Sequence, residues 1–286
     1  MLVHKLDIRA EEVYTCLFAP DGTHALTGAQ GNPVTLWDLT SGGPVRTFEH
    51  TGPVWALAWS RNQQLFISLD GTMRLWEADT GRCLREYDGR HVRSVAWSSD
   101  GRRILSASNG VVQLTDLESG HCLRMLEGHR DGVYTVAFDL DQQRALSGSR
   151  DRTVRAWDLN TGRCTCVLEG HTYHVHGVVW GADQRHALSC SRDIRLWDVP
   201  AGRCLRIFSG HRDTIRTVQW SADQRRMLSA AHDRTVRLWE VETGRCLKVF
   251  EGHTAGVVAA AFSVDQRSAF SCDWSGGIRV WDLTTA

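Results

Sequence analysis

The fold is decided by the stretch GHRDGVYTVAFDLDQQRALSGSRDRTVRAWD, residues 128–158. With the residues just after it, this stretch contains four short runs rich in β-forming residues, at 133–138, 144–149, 153–158 and 164–168. Polar turns such as Asp141-Gln142 and Asn160-Thr161-Gly162 separate these runs. The pattern predicts four short strands and no helix.

Two series of residues repeat this unit along the chain. The first is a tryptophan–acid pair that recurs every 39 to 42 residues, at Trp37-Asp38, Trp76-Glu77, Trp157-Asp158, Trp197-Asp198, Trp239-Glu240 and Trp281-Asp282, with Thr115-Asp116 in the remaining place. The second is an aromatic residue that closes the first strand of each unit, at Phe18, Trp59, Trp97, Phe138, Trp180, Trp220 and Phe262. Seven units of four strands predict an all-β fold, a seven-bladed β-propeller with four-stranded antiparallel blades.

The two ends of the chain are predicted to meet in one blade. Residues 2–6 align with residues 122–126, the outermost strand of a blade, whereas the last repeat stops just after Trp281 and lacks that strand. We therefore expect the N-terminal strand to complete blade seven and to close the ring, which removes two open sheet edges. This organisation predicts a single domain over residues 1–286. Because Met1 leads directly into the closing strand, a self-contained protein is favoured over one part of a larger signalling chain.

The overall charge and hydropathy exclude several classes of protein. Lys plus Arg number 33 and Asp plus Glu also number 33, so the basic excess that is typical of a nucleic-acid binder is missing. No apolar run reaches the ~18 residues of a membrane span. The N-terminal sequence MLVHKLDIRAEEV lacks the apolar stretch of a secretory signal. These features predict a cytoplasmic protein that binds neither membranes nor nucleic acid.

The nine cysteines do not form a disulfide pattern. Five of them occupy one recurring position in separate repeats, where they cannot easily reach each other: Cys83, Cys122, Cys164, Cys204 and Cys246. We interpret them as small apolar residues in a reducing compartment. Cys164 and Cys166 form a Cys-x-Cys pair, but no second pair or nearby histidine has the spacing of a zinc site. No cofactor is expected.

The repeated motifs resemble those of the WD-repeat family over the whole chain. Gly128-His129, Asp151 in a tight turn and Trp157-Asp158 match the blade signature of that family, and similar copies recur in the later repeats. The resemblance implies a hydrogen-bonded tetrad of His, Ser or Thr, Asp and Trp in each regular blade. In blades four and six these structural tetrads would be His129, Ser147, Asp151 and Trp157, and His211, Ser229, Asp233 and Trp239. Near-identical phrases such as Thr-Gly-Arg-Cys-Leu further resemble bacterial WD-repeat arrays.

Four blades depart from this signature, and we expect their tetrads to be incomplete and their local stability to be lower. Blade one has Arg9 and Gly31 at the His and Asp positions, and blade three has Thr115 and Asn109 at the Trp and Asp positions. Blade five is two residues short after Asp193. Blade seven has Ser275 at the Asp position, with Asp273 two residues earlier.

The resemblance also implies a binding face around the entry to each innermost strand. Its partner-binding candidates in this sequence are Tyr14, Trp55, Arg93, Tyr134, Arg150, His174, His176, Arg192, Arg216, His232 and Trp274. One observation supports this face without the family: of twelve tryptophans, only Trp55 and Trp274 fall outside the two repeated series. Aromatic and arginine side chains are typical of interface hot spots. Two alternatives remain open, in which the aromatic rings only plug the channel mouth and the arginines form a solvated rim.

These observations predict a monomeric, non-catalytic scaffold or sensor that binds a protein or peptide. Arginines and histidines favour a partner with acidic or phosphorylated groups. One alternative is a metal or small-ligand site at His174, His176 and His232, since the first two alternate along a strand and point the same way. An enzyme is the other alternative, but the sequence contains no nucleophile-elbow motif, no phosphate-binding glycine loop and no paired carboxylates on this face.

Overall fold

The computed structural model describes residues 2–7, 12–19, 22–31, 33–60 and 62–284. Within these ranges the chain forms strands, turns and bends, and no helix. Its 28 strands make seven four-stranded antiparallel sheets, which are the blades of a β-propeller. The predicted fold class is therefore confirmed. None of the described segments is a helix long and apolar enough to cross a membrane.

The strands are numbered in chain order, and each blade takes four of them. Blades one and two contain β2 (Val13–Phe18), β3 (His24–Ala29), β4 (Val34–Asp38), β5 (Pro44–Phe48), β6 (Ala56–Trp59), β7 (Leu65–Leu69), β8 (Thr72–Glu77) and β9 (Cys83–Asp88). Blades three and four contain β10 (Ser94–Trp97), β11 (Arg103–Ala107), β12 (Val111–Asp116), β13 (Cys122–Glu127), β14 (Val133–Phe138), β15 (Arg144–Ser149), β16 (Val154–Asp158) and β17 (Cys164–Leu168). Blades five and six contain β18 (Gly177–Trp180), β19 (His186–Cys190), β20 (Ile194–Asp198), β21 (Arg203–Phe208), β22 (Ile215–Trp220), β23 (Arg226–Ala231), β24 (Val236–Glu240) and β25 (Cys246–Phe250). Blade seven contains β26 (Val257–Phe262), β27 (Ser268–Asp273), β28 (Gly277–Asp282) and the N-terminal β1 (Leu2–Asp7).

The N-terminal strand completes blade seven, as the alignment of residues 2–6 predicts. β1 pairs antiparallel with β28, with Leu6 opposite Ile278 and Asp7 opposite Gly277. The edge of β28 is thereby covered by the other end of the chain, which removes an open row of backbone donors and acceptors. Arg9, at the predicted His position of blade one, lies outside the described residues.

The recurring cysteines lie opposite the recurring tryptophans. Cys164 on β17 pairs with Trp157 on β16, and a register shift just before this pair marks a bulge. The same pairing holds for Trp76 with Cys83, Trp197 with Cys204 and Trp239 with Cys246. All nine cysteines are free thiols. Of the five recurring cysteines, Cys122 is exposed and the other four are half-buried.

Two compact units are distinguished along the chain, residues 1–89 with 219–286, and residues 90–218. In each unit the core lies between adjacent blades. In the second unit, for example, Leu146 and Val154 of blade four pack with Val175 and Trp197 of blade five. Gly148 permits this close approach, because a Cβ there would lie 2.6 Å from Val175 Cγ1. The predicted single domain remains a prediction.

Candidate functional site

The tetrad of blade four is complete. Trp157 Nε1 donates to Ser147 Oγ at 2.7 Å, and Ser147 Oγ lies 2.7 Å from His129 Nε2. His129 Nδ1 lies 2.8 Å from Asp151 Oδ2. Because a carboxylate only accepts, His129 donates to Asp151 through Nδ1. Burial lowers the pKa of His129 and favours the neutral imidazole, so Nε2 accepts from the Ser147 hydroxyl. The tetrad is a single chain of hydrogen bonds that satisfies buried polar groups.

Blades five and seven have the same network, so their predicted incompleteness is wrong. In both blades the histidine lies 2.6 Å from a serine hydroxyl and 2.7 Å from an aspartate carboxylate, and the tryptophan indole donates to that serine at 2.7 Å. The residues are His171, Ser189, Asp193 and Trp197 in blade five, and His253, Ser271, Asp273 and Trp281 in blade seven. In blade five the two residues that are missing relative to the other blades would follow Asp193, so the position of its carboxylate is unchanged. In blade seven Ser271 and Asp273 alternate along β27, so both side chains project from one face of the strand.

Blades six and two also contain hydrogen bonds of this kind. In blade six, Trp239 Nε1 donates to Ser229 Oγ at 2.8 Å, and Asp233 accepts from Thr235 Oγ1 at 2.7 Å, while His211 is half-buried. Blade two has a histidine that sequence comparison missed. His50 Nε2 lies 2.6 Å from Ser68 Oγ, but its Nδ1 bonds the Phe48 carbonyl at 2.7 Å instead of an aspartate.

Blades one and three depart from the tetrad, as their sequences predict. In blade one, Trp37 Nε1 donates to Thr27 Oγ1 at 2.8 Å, while Gly31 brings no side chain to the Asp position. In blade three, the buried Thr115 replaces the indole and accepts from Gln113 Nε2 at 3.1 Å. The lower local stability expected for these blades stays a prediction.

The tetrads hold their ionisable groups in fixed charge states. Burial acts to raise the pKa of Asp273, but hydrogen bonds from His253, Ser275 and the Gly277 amide outweigh it and lower the pKa to about 2. Asp151 and Asp193 also have pKa values of about 2. Burial lowers the pKa of His253, and the bond to Asp273 offsets this only in part. The side chains of His129, His171 and His253 are fully enclosed, and their structural role stays a prediction.

In the first unit, two predicted site residues form a stacked pair at the start of their strands. The rings of Tyr14 and Trp55 lie 4.3 Å apart at 23°, and 42% of the surface of Trp55 is exposed. The hydroxyl of Tyr14 contacts Glu12 at 3.0 Å and also Gln30. Backbone bonds fix this position, since the Trp55 amide donates to the Leu69 carbonyl at 2.9 Å.

A second pair in the same unit joins His232 and Trp274, whose rings lie 4.5 Å apart. Trp274 is 42% exposed, although its backbone is well anchored. Its amide donates to the Gly256 carbonyl at 3.0 Å, and its carbonyl accepts from the Val13 amide at 2.9 Å. The bond to Val13 places Trp274 beside the strand that carries Tyr14. We call Tyr14, Trp55, His232 and Trp274 the first aromatic group.

In the second unit, the predicted residues of blades four and five form a larger cluster. Tyr134 stacks on His176 at 5.3 Å and 13°. Tyr173 stacks on His174 at 4.2 Å and 16°, and the Arg192 guanidinium lies 4.7 Å above the Tyr173 ring. Tyr173 was missed, because it lies at none of the recurring positions considered and because only tryptophans were counted. We call Tyr134, Tyr173, His174, His176, Arg192 and Arg216 the second aromatic group.

Arg216 joins this group through His176. Its Nη1 lies 3.4 Å from His176 Nδ1. Because a guanidinium only donates, Nδ1 is the acceptor in this contact. Burial lowers the pKa of Arg216, but the side chain keeps some solvent exposure and a guanidinium stays charged at neutral pH.

Two predicted arginines lie outside the aromatic contacts that define this group. Arg150 Nε lies 3.6 Å from Asp131 Oδ2, and both side chains are about half exposed. Arg93 is exposed at the entry to β10, where its amide donates to the Ala107 carbonyl at 2.7 Å. The Arg150 pair matches the solvated rim that the sequence left open as an alternative.

The proposed metal alternative lacks a coordinating arrangement. The rings of His174 and His176 lie 6.2 Å apart at 58°, and each stacks on a tyrosine. Within the described ranges, no group of three or more His, Cys, Asp or Glu side chains is placed to hold a metal ion.

The sequence matches the model of one protein family over most of its length. The family model described as WD domain, G-beta repeat matches residues 42–77, 81–116, 120–158, 162–198, 202–240 and 244–282, which is well over half of the chain. The chain belongs to the WD40 repeat family. The six matched WD40 segments end at the tryptophan–acid pairs or at Thr115-Asp116.

Several curated proteins from eukaryotes match parts of the chain. The anaphase-promoting complex subunit cdc20 of Dictyostelium discoideum is 29% identical over 166 residues, covering 54% of this chain and 33% of that protein. The B-type cell cycle switch protein ccs52B of Medicago truncatula is 28% identical over 163 residues, covering 54% and 34%. Eukaryotic translation initiation factor 3 subunit I of Pyricularia oryzae is 32% identical over 92 residues, covering 31% and 27%. The matches thus span about a third of these relatives' length, and the expected likeness to bacterial arrays is corrected.

Proposed function

We propose that this WD40 chain is a non-catalytic module that binds a protein or peptide segment through its two aromatic groups. The observation that carries the proposal is the exposure of Trp55 and Trp274, each 42% exposed, on a backbone fixed by hydrogen bonds. An indole that is already held in place loses little conformational entropy when a partner covers it. Tryptophan anchors of this kind dominate many protein interfaces.

The names of the relatives support an adaptor role. Two of the proteins that match are described as a subunit of the anaphase-promoting complex and a subunit of a translation initiation factor. Both descriptions place the relative inside a larger assembly. By analogy, we propose that this chain also acts by holding a partner and not by catalysing a reaction.

The charge of the second aromatic group favours a partner with acidic or phosphorylated side chains. Arg192 lies over Tyr173, and Arg216 lies beside His176, so two guanidinium groups border the stacked rings. Guanidinium groups form strong, directed hydrogen bonds to carboxylates and phosphates. Asp131 pairs with Arg150, and its negative charge also acts on His174 at the edge of this group.

We also propose that the seven blades act as one domain, and that the chain works as a monomer in the cytoplasm. All nine cysteines are free thiols, and five of them lie opposite the blade tryptophan or Thr115. Free thiols in these positions suit a reducing compartment. Analytical ultracentrifugation of the purified chain tests whether it is a monomer. A species with twice the chain mass of 32.1 kDa would contradict the monomer.

Affinity capture from a lysate of the source cell tests the binding face. The bait proteins are the wild type, a Trp55→Ala/Trp274→Ala variant and a Leu140→Ala/Val264→Ala control. Leu140 and Val264 are 60% and 68% exposed, and they lie in turns between the first and second strands of blades four and seven. We expect the wild type and the control to capture a protein that the tryptophan variant loses. Capture of the same protein by all three baits would refute the proposed face.

A further inference from the structure

An internal arginine fills the gap between blades four and five near the end of their first strands. Arg144 opens β15, and its guanidinium lies 4.8 Å above the ring of Trp180 in blade five. Its Nη2 donates to the Gln184 carbonyl at 2.8 Å, and its Nε donates to Asp139 Oδ2 at 2.9 Å. An aromatic face, a turn carbonyl and a buried carboxylate therefore hold one guanidinium group.

The preceding pair of blades repeats part of this arrangement. Arg103 opens β11 of blade three, and its Nη2 lies 3.4 Å from the Gln142 carbonyl and 3.3 Å from the Gln142 side-chain oxygen. Gln142 and Gln184 occupy the same turn position with φ values of 58° and 55°. This left-handed turn presents its glutamine as an acceptor for the arginine of the preceding blade.

Between blades one and two, the receiving side is present but the arginine is not. Trp59 and Gln63 occupy the positions of Trp180 and Gln184, and Gln63 has the same left-handed φ of 60°. On the donor side, His24 stands at the position of Arg144, and Ala19 stands at that of Asp139. His24 is shorter than arginine, and its Nδ1 lies 2.8 Å from the neighbouring Thr23 hydroxyl.

A cavity of about 410 Å³ lies at this junction. Its lining includes Ala19, His24, Arg46, Trp59, Gln63 and Asp79. Arg46 Nη1 donates to the Thr80 carbonyl at 3.0 Å, and Asp79 contributes an exposed carboxylate of opposite charge. The cavity therefore combines an indole, the turn glutamine, and one side chain of each charge, Arg46 and Asp79.

We propose that this cavity binds the side chain of an arginine from a partner polypeptide. A planar guanidinium stacks on an indole and donates to carbonyl oxygens from its edge, which is how Arg144 is held in blade five. Lysine lacks the planar group and its directed donors. The cavity lies near Ala19, beyond the end of β2, whereas Tyr14 lies near the start of that strand. It is therefore separate from the first aromatic group, and the proposal does not depend on that group.

Titration with N-acetyl-arginine amide, followed through the indole N–H signals of the ¹⁵N-labelled chain, tests this site. Trp59→Phe assigns the Trp59 signal, and phenylalanine is the natural residue at this position in blade four. We expect a saturable shift of the Trp59 signal in the wild type and at least tenfold weaker binding of N-acetyl-lysine amide. The absence of a saturable shift, or tighter binding of N-acetyl-aspartate amide, would overturn the proposal.

Two variants exchange the residues of the junction between blades one and two with those of the junction between blades four and five. Ala19→Asp/His24→Arg gives blade one the residues of blade four, so we expect its own guanidinium to fill the cavity and weaken probe binding at least tenfold. Asp139→Ala/Arg144→His makes the opposite change and should create a second site, detected through the Trp180 indole. If the blade-one variant does not fold, Trp59→Phe replaces it. Binding of N-acetyl-arginine amide is then measured by the rise in melting temperature that it causes, and we expect at least threefold weaker binding than in the wild type. Unchanged binding in the variant used would overturn the proposal.

Discussion

Asp273 lies 2.7 Å from His253, although it stands two residues before the place where the blade signature has its aspartate. The carboxylate reaches the imidazole because Asp273 and Ser271 share one face of β27. His253 is consequently held between Ser271 and Asp273, and the network equals that of blade four in its contacts. Network geometry, and not the spacing of the motif, therefore defines a complete tetrad.

This contact predicts that the chain loses stability in acid. The pKa of Asp273 is about 2 in the folded chain, below the ordinary 3.8, so its stabilisation is present above 3.8 and disappears as the pH falls towards 2. The shift corresponds to about 2 kcal/mol. Burial also lowers the pKa of His253 in the folded chain below its ordinary value of 6.5. Below that pH the unfolded chain binds a proton at His253 more readily than the folded chain does, so this histidine also destabilises the fold as the pH falls. Urea unfolding across this pH range measures the effect.

Asp273→Asn supplies the control for the acid prediction. The amide cannot ionise, so the difference in unfolding free energy between wild type and variant should be largest near neutral pH and should shrink below pH 3.8. Curves that stay parallel throughout the acid range would show that Asp273 does not contribute through its charge.

Ser147→Ala should destabilise the chain by about 1–3 kcal/mol, because it leaves buried polar atoms of Trp157 and His129 without their partner. Ser209→Ala is the matched control, since Ser209 is exposed and should tolerate the change within about 0.5 kcal/mol. Denaturant unfolding of the two variants provides the comparison. Equal stability of both would contradict the structural role of the tetrad.

Arg192→Ala/Arg216→Ala should weaken binding of the captured partner at least tenfold and reduce the dependence of affinity on salt, because two charges are removed from the second aromatic group. Titrations at low and high salt measure both effects. Arg150→Ala, at an exposed pair with Asp131, is the matched control and should have a much smaller effect. An unchanged salt dependence in the double variant would argue against an acidic partner.

The sequence predicted the fold closely because the repeat is regular. In blade four, three of the four predicted strands have the observed bounds, and the remaining strand begins at Val154 instead of residue 153. The tetrads of blades five and seven were judged from spacing, whereas their formation depends on which strand face a carboxylate occupies. Asp193 and Asp273 both reach their histidines despite irregular spacing.

The candidate site was predicted less fully than the fold. Trp55 and Trp274 were found because they have no place in the repeated series, and both are exposed. Tyr173 was not found, because its stacking on His174 depends on the course of a loop that no periodic pattern describes. A count of tyrosines outside the repeat would have indicated it.

The central claim, that the exposed tryptophans form the binding face, is tested most directly by the affinity of the purified chain for the captured partner. Isothermal titration should show at least a hundredfold loss for Trp55→Ala/Trp274→Ala, since each anchor is expected to contribute a tenfold factor or more. The Leu140→Ala/Val264→Ala control should bind like the wild type. Equal affinity of wild type and tryptophan variant, with both proteins folded, would contradict the claim.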